Sequence, residues 1–90
     1  MRRTTLADLE NLITRINIVT DSPLEYSVDN KRGGYDIQIG HYHLSGAYGG
    51  WQLQRTMNKG GGVNTPLGGG FDSKREMYGK LNAFLSGLGV

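Results

Sequence analysis

Leu6, Leu9, Leu12, Ile13 and Ile16 recur every three or four residues, with Asp8, Glu10, Asn11 and Arg15 between them. That spacing puts the apolar side chains on one face of a helix and the polar ones on the other. Thr5, three residues before Asp8, carries the N-cap signal, so a helix is predicted over about residues 6–17 with its leucine stripe packed on a sheet. The far end repeats the pattern. Ser73 and Glu76 form a capping-box signature, and Met77, Tyr78, Leu81, Phe84, Leu85 and Leu88 continue at helical spacing to Gly87-Leu88-Gly89. A second helix is predicted over about residues 74–86.

Between the helices the period changes to two. After the turn formers Thr20-Asp21-Ser22-Pro23, the run from Leu24 to Asp29 alternates apolar and polar, as a half-buried strand does. Asn30-Lys31-Arg32-Gly33-Gly34 then gathers turn formers before the alternation of Tyr35 to Ile39, which makes a hairpin. Tyr35, Ile37 and Ile39 are odd-numbered while Tyr42 and Leu44 are even, so a tight turn is expected at Gly40-His41, followed by a short strand near residues 42–46. Trp51 to Met57 alternates once more. The predicted fold class is α+β: one domain over residues 1–90 with an N-terminal helix, a three- to four-stranded antiparallel sheet and a C-terminal helix, in α-β-β-β-α order. From Asn58 to Asp72 the periodicity stops, and the glycine triplets at 60–62 and 68–70 predict a long structureless loop, functional or disordered.

Composition narrows the function classes. Ninety residues support one core. With 37% hydrophobic residues the chain collapses, while 15 glycines imply mobile loops. The chain has no cysteine, which removes disulfides, thiol nucleophiles and thiolate metal sites and points to an intracellular, cytoplasmic setting. No apolar run has the length of a signal peptide or membrane span, so no membrane partner is expected. The net charge of +2 is far below that of a dedicated nucleic-acid module. Its distribution says more: residues 1–30 are acidic on balance, and all of the basic excess lies in residues 31–90. A polyanion therefore meets the later part of the chain first.

Catalytic motifs are absent. The glycines before Lys74-Arg75 suggest anion binding at a helix N-terminus, but Ser73 precedes the lysine and no apolar strand leads into the glycines, as a phosphate-binding loop requires. His41 and His43 share a strand face without a third metal ligand at recognisable spacing, and their neighbour Asp36 has no nucleophile to serve. No cofactor and no metal is expected. The most distinctive stretch is Gly40 to Trp51, where aromatics and histidines alternate with glycines and can form a contact surface. Tyr42, His43, Tyr48, Trp51, Arg55 and Lys59 are the candidate partner-binding residues, and Lys31, Arg32, Lys74 and Arg75 are the candidate anion or nucleic-acid contacts.

The helix, three strands, helix order, with Lys74-Arg75 opening the second helix, is similar in topology to the double-stranded-RNA-binding domain. That family's Gly-Pro-x-His loop segment is replaced here by Asp29-Asn30-Lys31-Arg32-Gly33-Gly34. The run Tyr42 to Gly50, with Gly60-Gly61-Gly62-Val63 and Lys74-Arg75-Glu76-Met77-Tyr78, resembles small hypothetical proteins of tailed phages and prophages over residues 6–88. The resemblance implies a bacterial host cytoplasm and a small accessory protein that binds a host protein or nucleoprotein complex stoichiometrically, an anti-defence inhibitor being one concrete form. Nucleic-acid binding and capture of a small ligand or nucleotide under the glycine-rich segment are the alternatives, and either a monomer or a homodimer is compatible with the pattern.

Overall fold

Thr5 opens the first helix as the pattern requires. In the computed structural model, which describes residues 3–89, its side chain accepts from the Asp8 backbone while the Asp8 carboxylate accepts from the Thr5 N–H. The helix, α1, runs Leu6–Val19, two residues beyond the predicted end, and closes where Asp21 adopts a positive φ of 55°. The second helix, Lys74–Gly87, begins with the same reciprocal capping between Ser73 and Glu76. Local signals alone specify both starts.

Five strands lie between the helices: β1 (Ser27–Asp29), β2 (Tyr35–Ile37), β3 (Tyr42–Ala47), β4 (Gly50–Thr56) and β5 (Val63–Asn64). With the helix at each end, here α1 and α2, this is the expected α+β class built on antiparallel pairing. The strands divide into two sheets, β1-β2 and β3-β4-β5, rather than forming one. The division occurs at the predicted turn. Gly40, at φ 93°, swings the chain so that its N–H reaches the Thr56 carbonyl at 2.7 Å, and the backbone joins β4 instead of extending β2. Leu24 to Tyr26 and Gln38 to Ile39 consequently fall outside the strands.

The core is one cluster. Leu9, Leu12, Ile13 and Ile16 of α1 and Met77, Leu81 and Leu85 of α2 close over Tyr42 and Leu53, with Leu44, Trp51, Leu67 and Phe84 packed against its margin. The register Tyr42↔Arg55, Leu44↔Leu53, Gly46↔Trp51 places these positions on the helix-covered face.

The glycine-rich segment is more ordered than its composition predicts. Val63 and Thr56 pair, as do Asn64 and Arg55, and Asp72 exchanges both backbone hydrogen bonds with Trp51 at 2.8 Å. Two stretches of this segment thus line the edge of β4 that faces away from β3. Asn58 Oδ1 accepts from the N–H groups of Gly60 and Gly62, and Gly61 takes a φ of 87°. Asn30 Oδ1 does the same with Arg32 and Gly34, and Gly33 takes 82°. Asn30-Lys31-Arg32-Gly33-Gly34 and Asn58-Lys59-Gly60-Gly61-Gly62 are therefore one turn used twice. No helix among the described residues is long and apolar enough to cross a membrane.

Candidate functional site

Only two residues, Tyr48 and Gly49, connect β3 to β4, with φ of 52° and 72°. Positive φ at both central positions is the hairpin turn that matches the strand twist and that normally takes Asn or Gly. Here a tyrosine, 94% exposed, stands at the first position. Its ring stands edge-on to Phe71, 5.4 Å between centroids.

Directly below the turn, the Trp51 ring lies over Gly46, where a Cβ would come within 3.0 Å of the indole. On the other side Gly50 abuts Phe71 and the Asp72 carbonyl, and a Cβ there would lie only 3.1 Å from them. The two glycines let the indole and the returning chain close in from both sides. Asp72 then leads through Ser73 into α2, which brings the N-terminus of that helix to the base of the hairpin.

The result is an open groove of ≈ 990 Å³ lined by Gly46, Gly50 and Trp51 on the hairpin side and by Arg3, Lys74 and Arg75 opposite. None of these three cations makes an ion pair among the described residues. The nearby acids are occupied: Asp72 takes Lys80 at 2.9 Å, and Glu76 accepts from the Ser73 N–H at 3.2 Å. The positive end of the helix dipole adds to the same field. A surface of this kind attracts carboxylate or phosphate groups and offers aromatic area for contact.

Trp51, Lys74 and Arg75 line this groove, and Tyr48 sits on its rim beside Gly49, as four of the ten predicted residues. The other six lie elsewhere. Tyr42 is corrected outright: at 6% exposure its ring is in the core, edge-on to Phe84, because the register turns it toward the helices. Arg55 is committed internally, its guanidinium 4.9 Å above the Tyr42 ring and its Nε donating to the Gly40 carbonyl. Lys59 is exposed in the Asn58 turn, and Lys31 and Arg32 in the matching Asn30 turn.

His43 belongs to a polar ladder on the opposite face of the sheet. Its Nε2 lies 3.1 Å from Gln54 Oε1, Gln54 Nε2 donates to Gln52 Oε1, and Gln52 Nε2 donates to the Gly69 carbonyl. Since Gln54 Oε1 can only accept, His43 Nε2 carries the proton, and its buried Nδ1 has no hydrogen-bond partner among the described residues. Desolvation by burial therefore lowers the His43 pKa, against the opposing effect of its Gln54 hydrogen bond. His41 is buried, stacked on His43 at 5.7 Å with its Nδ1 donating to the Pro23 carbonyl at 2.7 Å. Tyr26 stands edge-on to both imidazoles. The pair joins the segment before β1 to β3, and no third metal-ligating side chain joins it among the described residues.

Two contributors were not singled out from sequence. Arg3 reaches the groove because it precedes α1, whose start lies beside Trp51. Asn17 interrupts the apolar face of α1 and binds the β3 backbone at Tyr42, its Oδ1 accepting from the N–H at 2.9 Å and its Nδ2 donating to the carbonyl at 3.0 Å. A buried-face polar residue inside a leucine stripe was the available signal. No protein-family model, curated protein or solved structure matches this chain.

Proposed function

We propose that the chain is a non-catalytic binding protein that engages an acidic face of a partner protein or nucleoprotein complex one to one, through the groove between the β3–β4 turn and the start of α2. The observation that carries this reading is the convergence of Trp51 with Arg3, Lys74 and Arg75, none of them ion-paired among the described residues, on one groove, with the exposed Tyr48 in the turn beside it. Aromatic anchors ringed by one sign of charge are what a protein contact uses for affinity and for encounter rate. Tyr48 strengthens the case. A non-glycine residue at φ 52° costs about 1 kcal/mol, and this one is kept on an exposed tip where it buries almost nothing. Such strain is retained at sites where the side chain itself is used.

In the setting that the phage resemblance implies, the partner is a host macromolecule and the effect is inhibition, an anti-defence inhibitor being the concrete form. Tyr48→Ala and the pair Lys74→Ala, Arg75→Ala test the surface: each keeps the fold and weakens partner capture, whereas unchanged capture by all of them removes the assignment. Lys74 and Arg75 at a helix start also suit nucleic-acid phosphates, as in the double-stranded-RNA-binding topology. That second reading requires salt-sensitive gel shifts with duplex RNA or DNA, and fails if none occurs at low salt.

A further inference from the structure

We infer that the outer edge of β3 accepts an extended segment of the partner polypeptide as an added strand, with acidic residues of that segment reaching Arg3, Lys74 and Arg75. This rests on the binding reading above and names the form in which the partner arrives.

β3 is an edge strand of its sheet, in the order β3-β4-β5. Which of its amides face outward follows from the hydrogen bonds. Tyr42 gives its N–H and carbonyl to Asn17, and Trp51 gives both of its own to Asp72. Tyr42↔Arg55 and Gly46↔Trp51 are thus the pairs that do not bond each other across the hairpin. Alternation then turns the peptide groups of Tyr42, Leu44 and Gly46 away from β4. The Asn17 carboxamide occupies the place of a partner peptide unit at the first of these, which demonstrates the geometry a strand would adopt at the next two. No side chain among the described residues takes the corresponding place at Leu44 or Gly46, and Gly46 is exposed with no side chain to obstruct an approach.

A groove of ≈ 460 Å³ runs along this edge between Leu44 and the α1 face that carries Leu6, Glu10, Ile13 and Asn17. Asn17 closes it at the Tyr42 end, and at the other end Trp51 lines both this groove and the cationic one. Charge sets the register. Glu10 on the wall repels an acidic residue midway, while Arg3, Lys74 and Arg75 beyond Gly46 receive one at the open end. Main-chain pairing supplies affinity in this mode, and side-chain pockets supply selectivity.

The test selects a random displayed peptide library against the immobilised full chain, then follows amide hydrogen exchange of the isotope-labelled chain with an enriched peptide. Strand addition predicts enriched peptides with acidic residues toward one end, exchange at Leu44 and Gly46 slowed roughly tenfold or more, and loss of binding when the peptide backbone is N-methylated. Failure to enrich any peptide, or enriched peptides that leave Leu44 and Gly46 exchange unchanged, overturns it. Lys74→Glu with Arg75→Glu separates the two claims. If that variant loses the natural partner while the peptide result is negative, strand addition falls and the binding surface stands. If it keeps the partner, the binding surface itself falls.

Discussion

Asn17→Ala asks whether one buried carboxamide holds the N-terminal helix to the sheet edge. Asn17 is 1% exposed, and its two hydrogen bonds satisfy both backbone polar groups of Tyr42, whose ring is itself in the core. Alanine leaves a buried N–H and a buried carbonyl without partners. Each orphaned group costs about 1–3 kcal/mol, and water entering from the open edge recovers part of that, which leaves about 3 kcal/mol for the pair. In a domain of this size that is a fall in Tm of about 15 °C. Asn17→Leu separates packing from hydrogen bonding, because it keeps the branched four-atom shape and fills the site while still orphaning Tyr42, so its loss should be comparable. Thr14→Ala, which removes only an exposed side-chain bond to the Glu10 carbonyl on the same helix, should change stability by less than about 0.5 kcal/mol. Thermal and urea unfolding followed by circular dichroism read all three, and the Tyr42 amide should exchange faster in both Asn17 variants. A fall of less than about 3 °C for Asn17→Ala, or a leucine variant as stable as the parent, would refute the reasoning.

Three further outcomes follow from the same contacts. His43 resists protonation in the folded state while an unfolded histidine takes up its proton near 6.5, so the stability it contributes is complete above that pH and is lost as pH falls below it; urea midpoints from pH 7.5 to 5 should decline, and the decline should be shallower in His43→Gln. Tyr48→Asn places a residue suited to positive φ in the hairpin turn and should raise stability by about 1 kcal/mol while weakening partner binding, an opposition that thermal unfolding and a binding titration check together. Gly50→Ala pushes a methyl against the Phe71 and Asp72 backbone and should cost about 1–3 kcal/mol, whereas Gly70→Ala meets nothing within 4 Å and should be nearly neutral by thermal unfolding.

The helices were legible because everything that makes them is local: Thr5 with Asp8, Ser73 with Glu76, and an apolar stripe between cap and end. The strands were legible as alternation but not as sheets, since alternation does not say which strands pair. The turn at Gly40 was readable from the phase change, yet its effect, sending the chain to Thr56 and dividing the sheet in two, depends on a contact sixteen residues away in sequence. β5 has only two residues and carries no period at all; it exists because Arg55 and Thr56 offer an edge. Tyr42 was misassigned by residue type, although the even-numbered phase it shares with Leu44 already placed it on the covered face. The cationic groove was half legible. Lys74, Arg75, Tyr48 and Trp51 stood out by composition, but their convergence needs the Trp51 and Asp72 backbones to pair, a non-local contact that glycine triplets do not announce.

Affinity capture from a bacterial lysate treated with nuclease, comparing the parent chain with Lys74→Glu, Arg75→Glu, tests the central claim most directly. A protein that is retained at about one copy per chain through nuclease treatment, and lost on charge reversal in a variant whose unfolding curve is unchanged, is the result predicted. Retention of the same protein by the charge-reversed variant, or recovery that vanishes with nuclease, would contradict it.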